Sequence, residues 1–139
     1  MSPPEHESIF PALPCNTIVY RALTRSSWIN KRTKGATSAA FIKRPHLPDK
    51  DPDRQGLSTF IAANCSLQQV YSMFSSCFGV VTLHVGRLRD IGLDICQDTP
   101  IHANITGLPY KEDDPATAEF LAGILRDLSR PALEDPKSP

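Results

Sequence analysis

Apolar and polar positions along the chain fall into short β-type runs separated by two stretches of helical period. Residues 17–23 (TIVYRAL) are rich in β-branched and aromatic side chains and predict a strand. Residues 37–42 predict a second short strand and residues 57–62 a third. Ser66, with Gln69 three positions on, forms a capping-box pattern, and Val70, Met73 and Phe74 follow at helical spacing. Residues 78–85 carry the strongest strand pattern; a turn or short helix at 88–91 then leads to another strand at 93–96. The stretch from there through Pro109 reads as irregular. Asp114 followed by Pro115 opens a final helix with an apolar stripe of Phe120, Leu121, Ile124, Leu125 and Leu128, and Pro131 stops it. Short strands with two principal helices, not in regular alternation, give an α+β class with a mixed, mostly antiparallel sheet. The organisation expected is one domain over residues 16–130, between a proline-rich flexible arm at 1–15 and a frayed tail at 131–139.

Composition narrows the function. The 139 residues fit one domain with a modest core, and thirteen prolines exclude a long helical bundle. Fifteen basic residues offset fifteen acidic ones, so no overall field draws the chain to nucleic acid. No run approaches the roughly 20 apolar residues of a membrane span. The first residues lack both a basic region and an apolar core of a secretory signal, and a cytoplasmic location is expected. Cys15, Cys65, Cys77 and Cys96 show no metal-ligand or redox spacing, so free thiols and no metal are expected. Charge is nonetheless uneven: residues 25–54 hold eight basic and three acidic side chains, residues 112–135 two basic and seven acidic. The basic segment suits a phosphate-bearing ligand or an acidic partner surface, and equally a solvated loop. Neither a dinucleotide glycine fingerprint nor a phosphate-loop motif is present.

Three groups carry candidate chemistry. Arg21 interrupts an apolar strand, where its rigid, permanently charged fork fits either a phosphate or the solvent face of an edge strand. Ser38 and Ser58 are small hydroxyls in predicted strands, near Phe41 and Phe60, without the glycine-flanked elbow of a serine hydrolase. His102 and Asn104 sit in the irregular stretch; His102 suits general acid or base work and Asn104 a turn cap or a ligand contact. Trp28 reads as a core plug or a lid over a ligand, and His84 as a satisfied sheet histidine.

Tyr20-Arg21 on the first strand, Ser38 to Phe41 on a second, then Gly56-Leu57-Ser58-Thr59-Phe60-Ile61-Ala62 leading into a capped helix resembles the ADP-ribosyltransferase-like fold. The flavour is that of the small RES-type toxins of bacterial toxin–antitoxin pairs, which act on NAD. The resemblance spans roughly residues 17–96. It implies NAD as cofactor or substrate, with Arg21 on a phosphate and Ser38 or Ser58 supporting the nicotinamide ribose. Tyr20, Phe41 and Asn104 would complete the cofactor site, and Arg21, Ser58 and His102 the catalytic set. The chain departs from the family at the expected glutamate: the helix after Ser66 offers Gln68 and Gln69 and no acid, and Glu119 is distant. The alternative is a non-catalytic binding or regulatory module whose 25–54 loop takes a nucleotide or a protein partner.

Overall fold

A computed structural model describes residues 9–133. Six strands, β1 (Ile18–Leu23), β2 (Leu57–Ile61), β3 (Gly79–His84), β4 (Asp94–Thr99), β5 (His102–Thr106) and β6 (Arg130–Pro131), form one sheet in the order β4-β5-β2-β1-β3-β6. Every neighbouring pair of strands is antiparallel. Three helices accompany them: α1 (Leu67–Ser72), α2 (Val85–Asp90) and α3 (Pro115–Leu128). The α+β class and the antiparallel character of the sheet are as the sequence predicts. No helix among the described residues is long and apolar enough to cross a membrane.

Period-two alternation sorts the strand residues into two apolar layers. Val19 and Leu23 of β1, Leu57 and Ile61 of β2, and Val81 and Leu83 of β3 pack with Trp28, Phe41, Leu88 and the α3 residues Ala122 and Leu125. Tyr20, Ala22, Phe60 and Val80 face the other way, onto Cys65, Val70 and Ala132. Both helix starts predicted from sequence form as read. Ser66 Oγ accepts from Gln69 N at 3.1 Å while Gln69 Oε1 accepts from Ser66 N at 2.7 Å, and Asp114 caps Thr117 N at 3.2 Å. On α3 the buried line is Ala118, Ala122 and Leu125, whereas Phe120 is largely exposed. Position 120 lies about 200° around the helix from both alanines, at roughly 100° per residue, so it cannot share their face.

Three readings of the sequence are corrected. Residues 37–42 are not a strand: Ser38–Phe41 is a 3-10 turn that packs on α3 and buries Phe41. The stretch taken as irregular contains β5, an inner strand between β4 and β2. The ends of the domain also extend further than 16–130. Leu13 is in the core, Gly86 N donates to Cys15 O at 2.8 Å, and β6 with buried Ala132 extends the sheet beyond residue 130. The remainder of the arm and tail, residues 1–8 and 134–139, lies outside the described residues.

One irregularity matters for function. β1 pairs with β3 along six residues but with β2 only at Val19↔Ile61 and Tyr20↔Phe60. Beyond those pairs β1 and β2 part, and β2 is entered through Gly56, whose φ is +152°. A Cβ at Gly56 would stand 2.6 Å from Ile105 O, so only glycine lets β2 approach β5 here. Gly56→Ala is expected to lose about 1–3 kcal/mol in urea denaturation. Gly123→Ala, where a Cβ on α3 would meet only Arg126 Nη2 at 3.8 Å, is expected instead to gain up to about 1 kcal/mol.

Candidate functional site

The gap between β1 and β2 is filled by a buried ion pair. Arg21 is 2% exposed and spends all five of its N–H groups inside the protein. Nη1 donates to Asp53 Oδ1 at 2.6 Å and to Ser58 O at 3.0 Å, and Nη2 donates to Asp53 Oδ2 at 2.9 Å. Nε and Nη2 both donate to Ala40 O, at 3.0 and 2.6 Å. Asp53 Oδ1 in turn accepts from Ser58 N at 2.9 Å. The backbone N–H and C=O of Ser58, which a longer β1–β2 ladder would have used, are thus held by the ion pair. Burial by itself would raise the Asp53 pKa, but the charge and hydrogen bonds of Arg21, with the Ser58 N–H, outweigh it and hold the carboxyl below its usual range. The phosphate-holding role that the resemblance implies for Arg21 would require breaking this set, since no donor on its guanidinium is left over.

Ser58 carries the second feature. In the β2–β5 register Ser58 lies opposite Asn104 and Phe60 opposite His102, which places all four side chains on one face. Ser58 Oγ lies 2.7 Å from His102 Nε2. His102 Nδ1 lies 2.7 Å from Asp98 Oδ1, and Asn104 Nδ2 donates to Asp98 Oδ2 at 3.0 Å. Asp98 reaches this position because the β4–β5 register slips between Gln97 and Thr99, leaving it as the extra residue of a bulge. An ionised carboxylate only accepts, so Nδ1 carries the imidazole proton, and Nε2 is left to accept the Ser58 hydroxyl proton. That is the arrangement of an activated serine. Phe60 packs edge-on to the His102 ring, with centroids 5.3 Å apart and planes at 73°. Asn104 Oδ1 is buried with no hydrogen-bond partner among the described residues.

Ser58 also lines a cleft of about 240 Å³. Its walls include Arg25, Trp28, Arg44 and Asp51 from the loops, with Phe60 and Phe74 from the sheet side. The guanidinium carbons of Arg25 and Arg44 lie 5.8 and 5.5 Å from the centre of the Trp28 ring, within cation–π range. Neither forms an ion pair among the described residues. Burial, and then the charge of Arg25, lowers the Arg44 pKa. A carboxylate that sequence reading did not place is here as well: Asp51 lines the cleft and accepts from Asp53 N at 2.9 Å.

The structure brings Arg21, Ser58, His102 and Asn104 into one hydrogen-bonded neighbourhood. It does not bring Tyr20, Ser38 or Phe41 to the cleft. Tyr20 is buried on the α1 side of the sheet, and Ser38 and Phe41 lie in the turn against α3. His84 is exposed at the start of α2, and Glu119 is exposed and paired with Lys111 at 3.3 Å. The cysteines are free, and no metal-ligating group of His, Cys, Asp or Glu forms among the described residues. Comparison with protein-family models, curated proteins and solved structures gives no significant match.

Asp53→Asn removes the charge that Arg21 needs and is expected to cost about 3–5 kcal/mol. A folded-state pKa below the unfolded one contributes stability that is full above the unfolded value, about 3.9, and vanishes as pH falls through the folded value. Urea midpoints from pH 7 down to pH 2 should therefore fall for the native chain below about pH 4. The Asp53→Asn chain should lack that part of the fall.

Proposed function

We propose that the chain handles a phosphate-bearing nucleotide, NAD being the ligand its sequence resemblance names, in the cleft between β1 and β2. The observation that carries this reading is the pair of guanidiniums, Arg25 and Arg44, standing over Trp28 without a carboxylate partner among the described residues. Arginine forks match phosphate oxygens bidentately, and the buried Trp28 ring, with Arg21 also 4.9 Å over it, holds the two guanidiniums in place for an anion. An anion between the two would also offset the burial and the Arg25 repulsion that together lower the Arg44 pKa. Phosphate binding passes in this reading from Arg21 to Arg25 and Arg44, while Ser58 keeps its place at the ligand. Glycosidic cleavage of NAD would further need a carboxylate near the ribose to stabilise an oxocarbenium-like centre; of the two acids that line the cleft, Asp53 is committed to Arg21, which leaves Asp51.

Trp28 is the only tryptophan, so its fluorescence reports on this cleft directly. Titration with NAD and with ADP-ribose is expected to change it saturably, with matching heats in calorimetry. Arg44→Ala and Arg25→Ala should each weaken binding about 10- to 100-fold, the worth of a charge-assisted hydrogen bond. Arg44→Lys should recover only part of the loss, because it cannot form the fork. Nicotinamide appearing in the same samples marks turnover, and binding without it marks the non-catalytic module. A flat titration with both ligands removes the nucleotide reading altogether.

A further inference from the structure

We propose that Ser58 is a nucleophile that attacks phosphorus in a phosphate ester or anhydride, forming a covalent intermediate on its Oγ. The proposal goes beyond nucleotide binding and needs no particular nucleotide, only an electrophile that reaches the cleft wall. Three observations converge on it. The Ser58–His102–Asp98 series has both links at 2.7 Å, with the proton on His102 Nδ1 fixed by the carboxylate, so Nε2 is free to take the Oγ proton. Asp98 is itself held by Asn104, and the serine backbone is pinned at both N and O by Asp53 and Arg21. The cleft that Ser58 lines holds Arg25 and Arg44, whose guanidiniums match the oxygens that gain charge at an attacked phosphorus.

The Oγ–P bond forms while the Oγ proton moves to His102 Nε2, and the P–O bond to the leaving group breaks. The imidazolium faces Asp98, then returns its proton to the leaving oxygen. Water then attacks the phosphoserine with His102 Nε2 taking its proton; the Oγ–P bond breaks, His102 returns that proton to Oγ, and the phosphate leaves with Ser58 restored. His102 is catalytic in this scheme, and Asp98 and Asn104 are positioning residues acting through it.

The test uses the full chain and a small uncharged probe, diisopropyl fluorophosphate, which carries the electrophile without a nucleotide. Attack on it forms Oγ–P, breaks P–F and releases fluoride. Intact mass and peptide mapping should find one adduct per chain, at Ser58, and none in Ser58→Ala with an unchanged circular dichroism spectrum. His102→Gln, and Asp98→Asn to a lesser extent, should slow labelling within the ~10²–10⁴-fold range of general-base assistance. Asp98→Asn should also lose the strongly deshielded His102 Nδ1 proton resonance while keeping the urea midpoint. No adduct on the native chain, an adduct only at another residue, or an unchanged rate in His102→Gln would each overturn the proposal. Because the probe contains no nucleotide, labelling with a flat NAD titration separates failure of the ligand reading from failure of the nucleophile.

Discussion

The buried pair of Arg21 and Asp53 is the constraint on which the rest of the site depends. Such a pair is a weak source of net stability, because desolvating two charges consumes most of what their attraction returns. Its contribution here is direction. A bidentate fork, a shared carbonyl on Ala40 and both backbone groups of Ser58 meet within one set of hydrogen bonds. That set replaces the ladder that β1 and β2 would otherwise form and holds them apart. It also ties the loop before Gly56 and the Ser38–Phe41 turn to the same point of the sheet. With the ladder closed, Ser58 would bond to β1 and the cleft would be filled by strand.

The site divides between a rigid half and a loop half. Ser58 and His102 sit opposite one another's neighbours on paired strands, so their separation is set by sheet geometry and not by loop packing. Asp98 is aimed by a bulge, whose one extra residue shifts the β4–β5 register by one between Gln97 and Thr99. The charged wall is different. Arg25 and Arg44 come from loops on either side of the Ser38–Phe41 turn and are held against Trp28 by cation–π contact. A serine fixed by the sheet facing cations carried on loops is the division that the proposed group transfer requires, since reacting atoms must meet within tenths of an ångström while ligands need only be held.

Much of this was legible where local chemistry decides structure. The caps at Ser66 and Asp114 and the apolar runs of β1 and β3 are dictated by residues within a few positions of each other, and they form as read. Residues 37–42 failed because their apolar content serves burial against α3, a contact far away in sequence that a 3-10 turn satisfies as well as a strand. β5 failed because His102 and Asn104 look like loop residues. Their polarity belongs to the relay, and the strand around them is buried at Ala103 and Ile105. Ser58 and His102 were legible as chemistry, their union was not, since 44 residues separate them. Asp98 was closer to reach: it stands four residues before His102 across a Pro100-containing hairpin turn, a spacing that pairs them once residues 102–106 are read as a strand.

The zero net charge of the chain conceals how selective the cleft is. Asp53 neutralises Arg21 from within, and the charges that remain on the cleft wall are Arg25 and Arg44 beside Trp28, with Asp51 as the acid among them. Two guanidiniums neutralise a phosphate or a diphosphate; a nucleic-acid backbone is gripped by a row of cations along an open face. At about 240 Å³ the cleft is also smaller than the ~300–1,000 Å³ usual for ligand pockets, so it encloses a phosphate and one ring rather than a whole dinucleotide. The rest of such a ligand has a defined direction to take. Arg44 is shared with an adjoining polar hollow lined by His46, Arg54 and Tyr110, where Lys43 already stands 4.7 Å over the Tyr110 ring. A ligand whose phosphates rest on Arg44, as proposed, would extend toward that hollow.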